Sequence, residues 1–544
     1  MDLMITRLAN RYFEFVAKRF PVMCASDEFH FLPMAEAAAK YYDKIDNLEA
    51  GSIKNTINEL KQFRNELSML DKSKDIPFEK KIDIDLLIAN ISGTLIEIEK
   101  KKSFRNNPLL YLKVAFIGLD HALNRPSESS KEIIDRVSSR LHAIPDLLGQ
   151  GVANLSLIPE SFFEHAVSMT TDCKKYLKNT VASFFHGTDQ DVLFEQGIKK
   201  AIDAVDAFRY FLLSNTPSPD SHFSSDTLDA CTREHFMSAK SLDDIFQIAV
   251  DDWNDNLKNL EDTGRKINPD IPWQVLYQNT SPNDMGDISI ISRYSKEAEN
   301  VCSFFETNGL VNKSQYAGLV ITETPLYLRS IRGSASFGAS LTADEKEKDF
   351  FYITTNRFDQ NNSEAAKRLE GRLHREYKFL TAHETIPGHF LLDSIRRKLE
   401  NPVRRQIESP LFYEGWATYA ETMLADYGYV THPDDLLVDF RRRLWRAARC
   451  QIDAGISTGK LDREDAVRLL TTTGFSREEA NGQINRFRLN PGYQLCYCLG
   501  SYEIRELKKK HVHRLGVQKF HDVLLKGGEL PFHLIEKRME KTSN

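Results

Sequence analysis

The sequence predicts a mainly α-helical protein with two large lobes and one small β-sheet. Three features of the 544-residue chain indicate this fold. Apolar residues recur at spacings of three and four through the first 280 residues, as they do on one face of a helix. Short β-branched and aromatic runs, separated by Gly, Pro and Asn, are concentrated between residues 286 and 356. From Glu364 onward the helical spacing returns and continues to the end of the chain.

The N-terminal half contains the clearest amphipathic helices. Each of three apolar stripes is expected to pack into a helical core: Ile53, Ile57, Leu60, Phe63, Leu67 and Leu70; Leu86, Leu87, Ile91, Leu95 and Ile98; and Leu193, Ile198, Ile202, Val205, Phe208 and Leu212. The Ser- and Pro-rich segment 214–226 is expected to be a loop or linker. We predict an N-terminal helical lobe over residues 1–280.

The second predicted lobe, residues 281–544, begins with the small sheet. Strands are expected at 288–291, 317–322 and 349–356, with the Gly- and Ser-rich segment 332–340 as a bend between two of them. Helices are expected over 364–430 and from there to the C-terminus. An edge strand of this sheet is a candidate to bind an extended peptide as an added strand, and a purely structural sheet is the alternative.

Composition and charge argue against several functional classes. A net charge of −6, without a basic stripe, argues against nucleic-acid binding. No stretch approaches the roughly 18 consecutive apolar residues of a membrane span, and residues 1–20 form a charged amphipathic pattern unlike a signal peptide. Seven scattered cysteines, an odd number, do not indicate a disulfide framework. We expect a cytoplasmic protein without nucleic-acid or membrane partners; its oligomeric state, homodimer included, is left open.

The stretch 382–389, Ala-His-Glu-Thr-Ile-Pro-Gly-His, is typical of a metal site. In the common H-E-x-x-H pattern, two histidines four residues apart share one helix face and bind one zinc ion. Here His389 follows His383 by six positions, which places it on a different face of a straight helix. Between them lie Pro387, which removes a helical hydrogen bond, and Gly388, which permits a sharp change of direction. We predict a kinked or interrupted helix at Pro387, so that both imidazoles reach one ion.

A zinc site of this kind needs a third protein ligand and leaves one position for water. We expect Glu414, in the segment Tyr-Glu-Gly-Trp-Ala, to be that ligand. Glu421 is seven residues further along, close to two helical turns, and therefore lies on the same face. Its carboxylate is expected to orient one of the ligands. The same set of two histidines and one carboxylate suits Fe²⁺, which is the alternative metal.

Glu384, next to the first histidine, is the expected general base. A carboxylate in this position accepts a proton from water that attacks a carbonyl carbon, and passes the proton to the leaving nitrogen. The predicted reaction is therefore hydrolysis of a peptide or related amide bond. The oxyanion that develops needs a donor, and a substrate carboxylate is bound well by a guanidinium. Four residues are candidates for these roles in catalysis or substrate binding: Tyr497, Tyr493, Arg449 and Arg486.

Other interpretations stay open on these residues. The two histidines can be hydrogen-bonded core residues, and the chain can be a binding or scaffold protein built on a silenced site. Alternatively, the same ligands bind another metal, such as iron, for non-hydrolytic or biosynthetic chemistry. Metal content and peptide cleavage distinguish the three interpretations.

The motifs resemble those of a family of bacterial predicted zinc metallopeptidases, domain of unknown function 885, marked by H-E-x-x-P-G-H-H and E-G-W-A. The matching segments here are HETIPGH, EGWATYAE, RCQIDAG and RFRLNPGYQLCYCLG. The resemblance implies a large two-lobed helical metallopeptidase-like fold, distantly related to the gluzincins, with a deep cleft between the lobes. Asp453, in the third segment, is expected to support the site from outside the ligand set, as Glu421 does.

Three positions depart from the family pattern. Phe390 and Ser457 stand where the family tends to have histidines, and Leu392 stands where a glutamine is common. The expected ligands and the Glu next to the first histidine are all present. We therefore expect a retained metal site whose substrate contacts differ from those of the family.

Overall fold

The computed structural model describes residues 2–72, 76–185, 191–220, 224–281, 288–310, 318–355, 363–488 and 490–541. Helices predominate in these residues, and three short strands form a small sheet. The prediction of a mainly helical fold with a small sheet is confirmed. Across the described ranges, no helix combines the length and the apolar composition that crossing a bilayer requires.

Two compact units divide the chain. The first comprises Met1–Ser221, Glu323–Gly333 and Gly338–Lys348; the second comprises His222–Thr322, Ser334–Phe337 and Asp349–Asn544. The change from the first unit to the second falls within the predicted linker 214–226, and the predicted boundary at residue 280 lies inside the second unit.

The first unit contains a bundle of helices around a strongly apolar central one. The helices of this part are α1 (Asp2–Arg19), α2 (Ala50–Asp71), α3 (Phe78–Leu95), α4 (Ser103–Asn106), α5 (Pro108–Asn124), α6 (Ser130–Asn154), α7 (Glu160–Tyr176), α8 (Ala182–Phe185) and α9 (Asp191–Leu213). The three predicted stripes fall on α2, α3 and α9, as expected, with the last residue of the second stripe just beyond the end of α3. Helix α5 is apolar on nearly every face because it packs against both α6 and α7.

The second unit contains the predicted site. Its helices are α10 (Ser225–Ala230), α11 (Leu242–Ile267), α12 (Trp273–Asn279), α13 (Ile290–Thr307), α14 (Ser363–Arg375), α15 (Tyr377–Glu384), α16 (His389–Arg396), α17 (Pro402–Gln406), α18 (Pro410–Asp426), α19 (Pro433–Ser457), α20 (Arg463–Thr472), α21 (Arg477–Phe487), α22 (Gln494–Leu515), α23 (Val517–Leu525) and α24 (Phe532–Lys541). Helix α11 packs along α19, which explains why residues before 280 belong to this unit.

The sheet consists of β1 (Leu319–Glu323), β2 (Ala335–Gly338) and β3 (Asp349–Ile353), in the spatial order β1-β3-β2. Two of its strands agree with the predicted runs at 317–322 and 349–356. The predicted bend at 332–340 is wrong in part, because it contains β2, which hydrogen-bonds to β3. Residues 282–287, 317 and 356, at the predicted ends of the sheet and its strands, lie outside the described residues.

The predicted strand at 288–291 is also wrong, because this segment begins helix α13. The Ser289 side chain accepts a hydrogen bond from the Ser292 amide and so caps the helix. Buried Tyr294, Ala298 and Val301 follow at helical spacing. The N-cap and this spacing outweigh the β propensity of the isoleucines at the start of the segment.

The sheet lies beside the helix that carries the first histidine of the motif. Phe351 and Ile353 of β3 form a buried apolar cluster with Tyr294 of α13, Leu373 of α14 and Leu380 of α15. The predicted position of the sheet next to the motif helix is therefore confirmed.

Candidate metal centre

The helix is interrupted between the two histidines of the motif, as predicted. Helix α15 ends at Glu384, and α16 begins at His389. The Ile386–Pro387 peptide in the connection is cis. A Cβ atom on Gly388 would lie 1.9 Å from the carbonyl oxygen of His383. Only glycine therefore permits this close return of the chain toward the end of α15.

A tryptophan of the second motif holds the connection in place. The indole Nε1 of Trp416 donates to the Pro387 carbonyl oxygen at 2.8 Å. This bond joins the helix interruption to α18, the helix that carries Glu414. A side chain of the second motif is thus hydrogen-bonded to the backbone of the first.

His383, His389 and Glu414 converge within the second unit. Their candidate ligand atoms all lie within 4.8 Å of one another, and all three residues are buried. The Oε2 atom of Glu414 is 3.4 Å from His383 Nε2 and 3.7 Å from His389 Nε2. The two imidazole rings are 4.7 Å apart and nearly perpendicular. The interrupted helix therefore brings together the three residues that the sequence predicts as ligands.

The two oxygens of the Glu414 carboxylate have different surroundings. The hydroxyl of Tyr493 donates to Oε1 at 2.6 Å. Oε2 is buried and accepts no hydrogen bond from any described residue. A buried acceptor without a partner is costly, and a cation between Oε2 and the two imidazoles would compensate it. The residues present therefore fit a metal ion that takes nitrogen and oxygen ligands.

Glu421 orients the first histidine. Its Oε1 lies 2.8 Å from His383 Nδ1. A proton on Nδ1 donated to this carboxylate leaves the lone pair of Nε2 facing Glu414 and the second histidine. Arg442 and Arg446 of α19 both contact the same carboxylate, with N–O distances of 2.5 to 2.9 Å. Glu414 and Glu421 lie on the same face of α18, as their spacing predicts. Glu421 therefore reaches the Nδ1 side of the His383 ring, opposite the nitrogen that faces Glu414.

A chain of buried ion pairs continues from this carboxylate to the start of α15. Arg442 contacts Glu376 as well as Glu421. Glu376, which precedes α15, also accepts bonds from Arg441 at 3.1 Å and from the Tyr277 hydroxyl at 2.7 Å. Burial opposes ionisation of Glu376, but the surrounding arginines hold its pKa well below the usual range. The motif helix is anchored by charged groups at both ends.

The histidine and glutamate of the centre perturb each other. Burial alone would lower the pKa of His383, but its contacts with Glu414 and Glu421, with the nearby negative charges, raise it to about 9. Burial likewise opposes ionisation of Glu414, but contacts with the two histidines and Tyr493 hold its pKa well below the usual range. A metal ion at this position would displace a proton from His383, because the metal ligand is the neutral imidazole.

Aromatic rings hold the second histidine. The ring of Tyr413 stacks on His389 with centroids 4.0 Å apart, and Phe337 of β2 lies 6.2 Å away on a nearly parallel plane. The Tyr413 hydroxyl donates to Asp393 Oδ2 at 3.0 Å, and Asp393 pairs with Arg396. Sequence reasoning did not identify Tyr413 or Asp393. Tyr413 could have been found because it is next to Glu414, and Asp393 because it follows His389 by four positions, one helical turn.

Tyr497 and Arg449 form a stack next to the first histidine. The rings of Tyr497 and His383 are nearly parallel, with centroids 6.4 Å apart. The guanidinium carbon of Arg449 lies 3.8 Å from the Tyr497 ring centroid. Arg449 also donates to the side-chain oxygen of Gln494, a residue that sequence reasoning did not identify. These two candidates are therefore brought to the metal centre.

Asp453 supports the turn that leads into α22. Its Oδ2 accepts hydrogen bonds from the backbone amides of Gly492, at 2.7 Å, and Gln494, at 3.1 Å. This turn carries Tyr493 to Glu414. Asp453 therefore supports the site through the backbone of this turn. Arg486, the other predicted substrate-binding residue, lies half-buried on α21.

Two glycines allow the helices on either side of the centre to approach closely. A Cβ on Gly415 of α18 would lie 2.6 Å from backbone atoms of Gly500 on α22, and a Cβ on Gly500 would lie 2.2 Å from the Leu411 carbonyl oxygen. Helices pack at this distance only where side chains are absent. The glycine of the Glu-Gly-Trp-Ala motif thus serves the contact that places α22 and its tyrosines near Glu414.

Phe390, Leu392 and Ser457 each have a structural role. Phe390 is buried and packs edge-on against Phe337. Leu392 is fully buried in α16. The Ser457 hydroxyl donates to the Asp453 carbonyl oxygen at the end of α19. Two of these three positions therefore carry buried apolar side chains.

Comparisons with known proteins agree with this fold. A family model described as "Bacterial protein of unknown function (DUF885)" matches residues 33–539. The structure of a "putative lipoprotein of unknown function" from Shewanella oneidensis superposes with a TM-score of 0.76 at 18% identity, over 98% of this chain and 99% of that one. The structure of a "putative lipoprotein" from Colwellia psychrerythraea superposes with a TM-score of 0.80 at 16% identity, over 100% and 99%. No protein with a curated description matches the chain.

Proposed function

The chain belongs to the bacterial family DUF885, and we propose that this member is a zinc-dependent hydrolase of peptide or related amide bonds. The observation that supports the proposal is the convergence of His383, His389 and Glu414 around one buried oxygen that lacks a hydrogen-bond partner within the described ranges. Glu384 follows the first of these histidines directly and is itself buried. Two imidazoles, a carboxylate and an adjacent carboxylate form the set that metal-dependent amide hydrolysis uses.

The three converging residues would hold the metal. A zinc ion bound there supplies Lewis acidity, which makes water more acidic and a carbonyl carbon more electrophilic. Glu421 keeps His383 oriented, and Tyr493 keeps Glu414 oriented, so the protein fixes the ligands before the metal arrives.

Glu384 acts as the proton carrier in this proposal. It accepts a proton from the water molecule whose oxygen attacks the amide carbon. It then delivers that proton to the amide nitrogen as the carbon–nitrogen bond breaks, which yields one carboxylic acid and one amine. The low exposure of Glu384, 6%, favours such transfer because bulk water does not compete at the carboxylate.

The edge strand β2 suits an extended substrate. It lies at one edge of the sheet, and its Phe337 faces His389. A peptide that added to this edge would run beside the metal ligands. In this proposal Tyr497, half-buried next to His383, donates to the oxyanion of the reacting carbonyl.

The test combines metal analysis with peptide cleavage. Protein purified without added metal should contain about one zinc ion per chain, and Glu414→Ala should lose most of it. A peptide library incubated with the wild type should yield cleavage products, and Glu384→Gln should lose hydrolysis by at least about 10²-fold while it retains the metal. Stoichiometric iron without peptide cleavage would favour non-hydrolytic chemistry. Absence of any bound metal would refute both enzymatic proposals.

Location is a separate proposal. We keep the cytoplasm as the predicted compartment and a peptide or amide-containing small molecule as the predicted partner. Two solved structures with this fold are described as lipoproteins, so fractionation of cells that produce the native gene product is the direct test. Recovery in the membrane fraction would contradict the cytoplasmic prediction.

A further inference from the structure

Arg449 differs from the other buried arginines of α19 in its partner. Arg441, Arg442 and Arg446 each form an ion pair with a carboxylate. Arg449 is 8% exposed, and its described partners are neutral: it donates to the Gln494 side chain and contacts the phenol of Tyr497. No carboxylate of the described residues pairs with it. Because a guanidinium is always charged, and a buried charge without a counter-charge is costly, this arrangement favours an anion from outside the protein.

The remaining donors of Arg449 suit a planar anion. Nε and Nη2 both donate to Gln494 Oε1, at 3.0 and 2.6 Å. This uses one edge of the guanidinium and leaves the edge formed by Nη1 and the second proton of Nη2. Tyr497 lies 3.8 Å from the guanidinium carbon and Trp445 lies 4.9 Å from it, so aromatic rings hold its plane. A carboxylate can accept two parallel hydrogen bonds from that edge.

The guanidinium is close to the metal centre. The ring centroids of Tyr497 and His383 are 6.4 Å apart, and Arg449 packs on the same tyrosine. The guanidinium carbon is therefore at most about 10 Å from the His383 ring. Successive residues of an extended chain advance by about 3.3 to 3.6 Å, so about three residues cover this distance. A carboxylate at Arg449 and an amide bond at the metal ligands can thus belong to the last few residues of one peptide.

We propose that Arg449 binds the free C-terminal carboxylate of a peptide substrate. The inference rests on the proposed hydrolase function and specifies its substrate class. The enzyme would remove residues from the C-terminus of peptides, and it would discriminate against peptides whose C-terminus is an amide. Gln494 and Tyr497 hold the guanidinium in position for this contact.

A binding experiment tests the carboxylate site without reference to catalysis. N-acetylglycine and N-acetylglycinamide are titrated into the purified, metal-containing protein, and tryptophan fluorescence and isothermal calorimetry report binding, since Trp445 lies beside Arg449. The wild type should bind the acid at least tenfold more tightly than the amide. Arg449→Gln should lose this preference, and Arg449→Lys should retain part of it because it keeps the charge but not the paired donors.

The matched control is Arg443→Gln, which changes the same residue type on the same helix at a site paired with Asp439. It should keep the preference of the wild type for the acid. Thermal unfolding of each variant checks that it is folded. Equal binding of acid and amide by the wild type, or undiminished acid binding by a folded Arg449→Gln variant, would overturn the carboxylate site.

A cleavage experiment then connects the site to the reaction. Peptides of one sequence with a free or an amidated C-terminus are compared by kcat/KM. The wild type should cleave the free acid at least tenfold faster, and Arg449→Gln should lower kcat/KM for the acid at least tenfold more than it lowers kcat/KM for the amide. Equal loss on both peptides would overturn the proposal. Retained acid binding with no cleavage of any peptide would instead refute the hydrolase function and leave the carboxylate site standing.

Discussion

Replacing Glu421 with glutamine should separate the stability of the protein from its affinity for metal. The carboxylate contacts three charged or chargeable groups, His383, Arg442 and Arg446, at 2.5 to 2.9 Å. Arg442 keeps its second partner Glu376 in the variant. Arg446 loses the one carboxylate with which it pairs in the described structure. A buried charge left in this way costs about 3 to 5 kcal/mol of folding free energy.

The same substitution removes the acceptor behind the first histidine. Second partners of metal-bound histidines contribute about 10- to 100-fold in metal affinity, which corresponds to about 1.4 to 2.7 kcal/mol. Urea unfolding of the metal-free protein measures the loss of stability. Competition with a chromophoric chelator measures the zinc affinity. Glu421→Gln should lower both quantities by these amounts.

A double variant distinguishes the two effects. Glu421→Gln combined with Arg446→Gln removes the uncompensated charge, so stability should recover by at least half while zinc affinity stays low. Glu464→Gln, which breaks an exposed pair with Arg477, should cost less than about 1 kcal/mol and leave zinc affinity unchanged. If zinc affinity returns together with stability in the double variant, Glu421 does not orient His383, and the reasoning fails.

Three further substitutions test the packing and the charges around the centre. Gly388→Ala places a Cβ 1.9 Å from a backbone oxygen and should cost about 3 kcal/mol or more in urea unfolding and weaken zinc binding, whereas Gly149→Ala, with open space around it, should not destabilise the protein. Gly500→Ala, whose Cβ would lie 2.2 Å from a carbonyl of α18, should cost a similar amount; stability equal to wild type would show that the two helices separate freely. Burial lowers the pKa of His521 to about 4, below about 6.5 in the unfolded chain, so its contribution to stability is complete above pH 6.5 and is lost as the pH falls toward 4. As the pH falls from 7 to 4, the free energy of unfolding should therefore decline by up to about 3 kcal/mol more in the wild type than in His521→Gln. Parallel curves of unfolding free energy against pH would contradict this.

Much of the fold was predictable because it follows from local patterns. The stripes of α2, α3 and α9 repeat at the helical period, and burying one face of each helix requires that repeat. The segment 288–291 was mispredicted because β-branched residues favour strands on average. There the cap at Ser289 and the buried residues that follow decide for a helix.

The sequence by itself predicted the three residues that converge and the break in the motif helix. A spacing of six positions from His383 to His389 does not place both side chains on one face of a straight helix, and the proline and glycine between them leave few other conformations. Spacing also placed Glu421 on the face of Glu414. The break and the shared face of Glu414 and Glu421 depend on geometry within about ten residues of the chain, which local sequence contains. Glu414 itself was predicted from its motif and follows His389 by 25 positions.

Only the tertiary structure decided which distant groups surround the centre. Tyr493 reaches Glu414 across 79 positions, and Arg442 joins Glu421 to Glu376 across 21 and 66 positions. Helix packing sets such distances, and the close approach of α18 and α22 at their glycines is one example. Helix packing also decides that Arg441, Arg442 and Arg446 pair with carboxylates while Arg449 donates to Gln494. The partner of a buried charge is a neighbour in space and cannot be read from adjacent sequence.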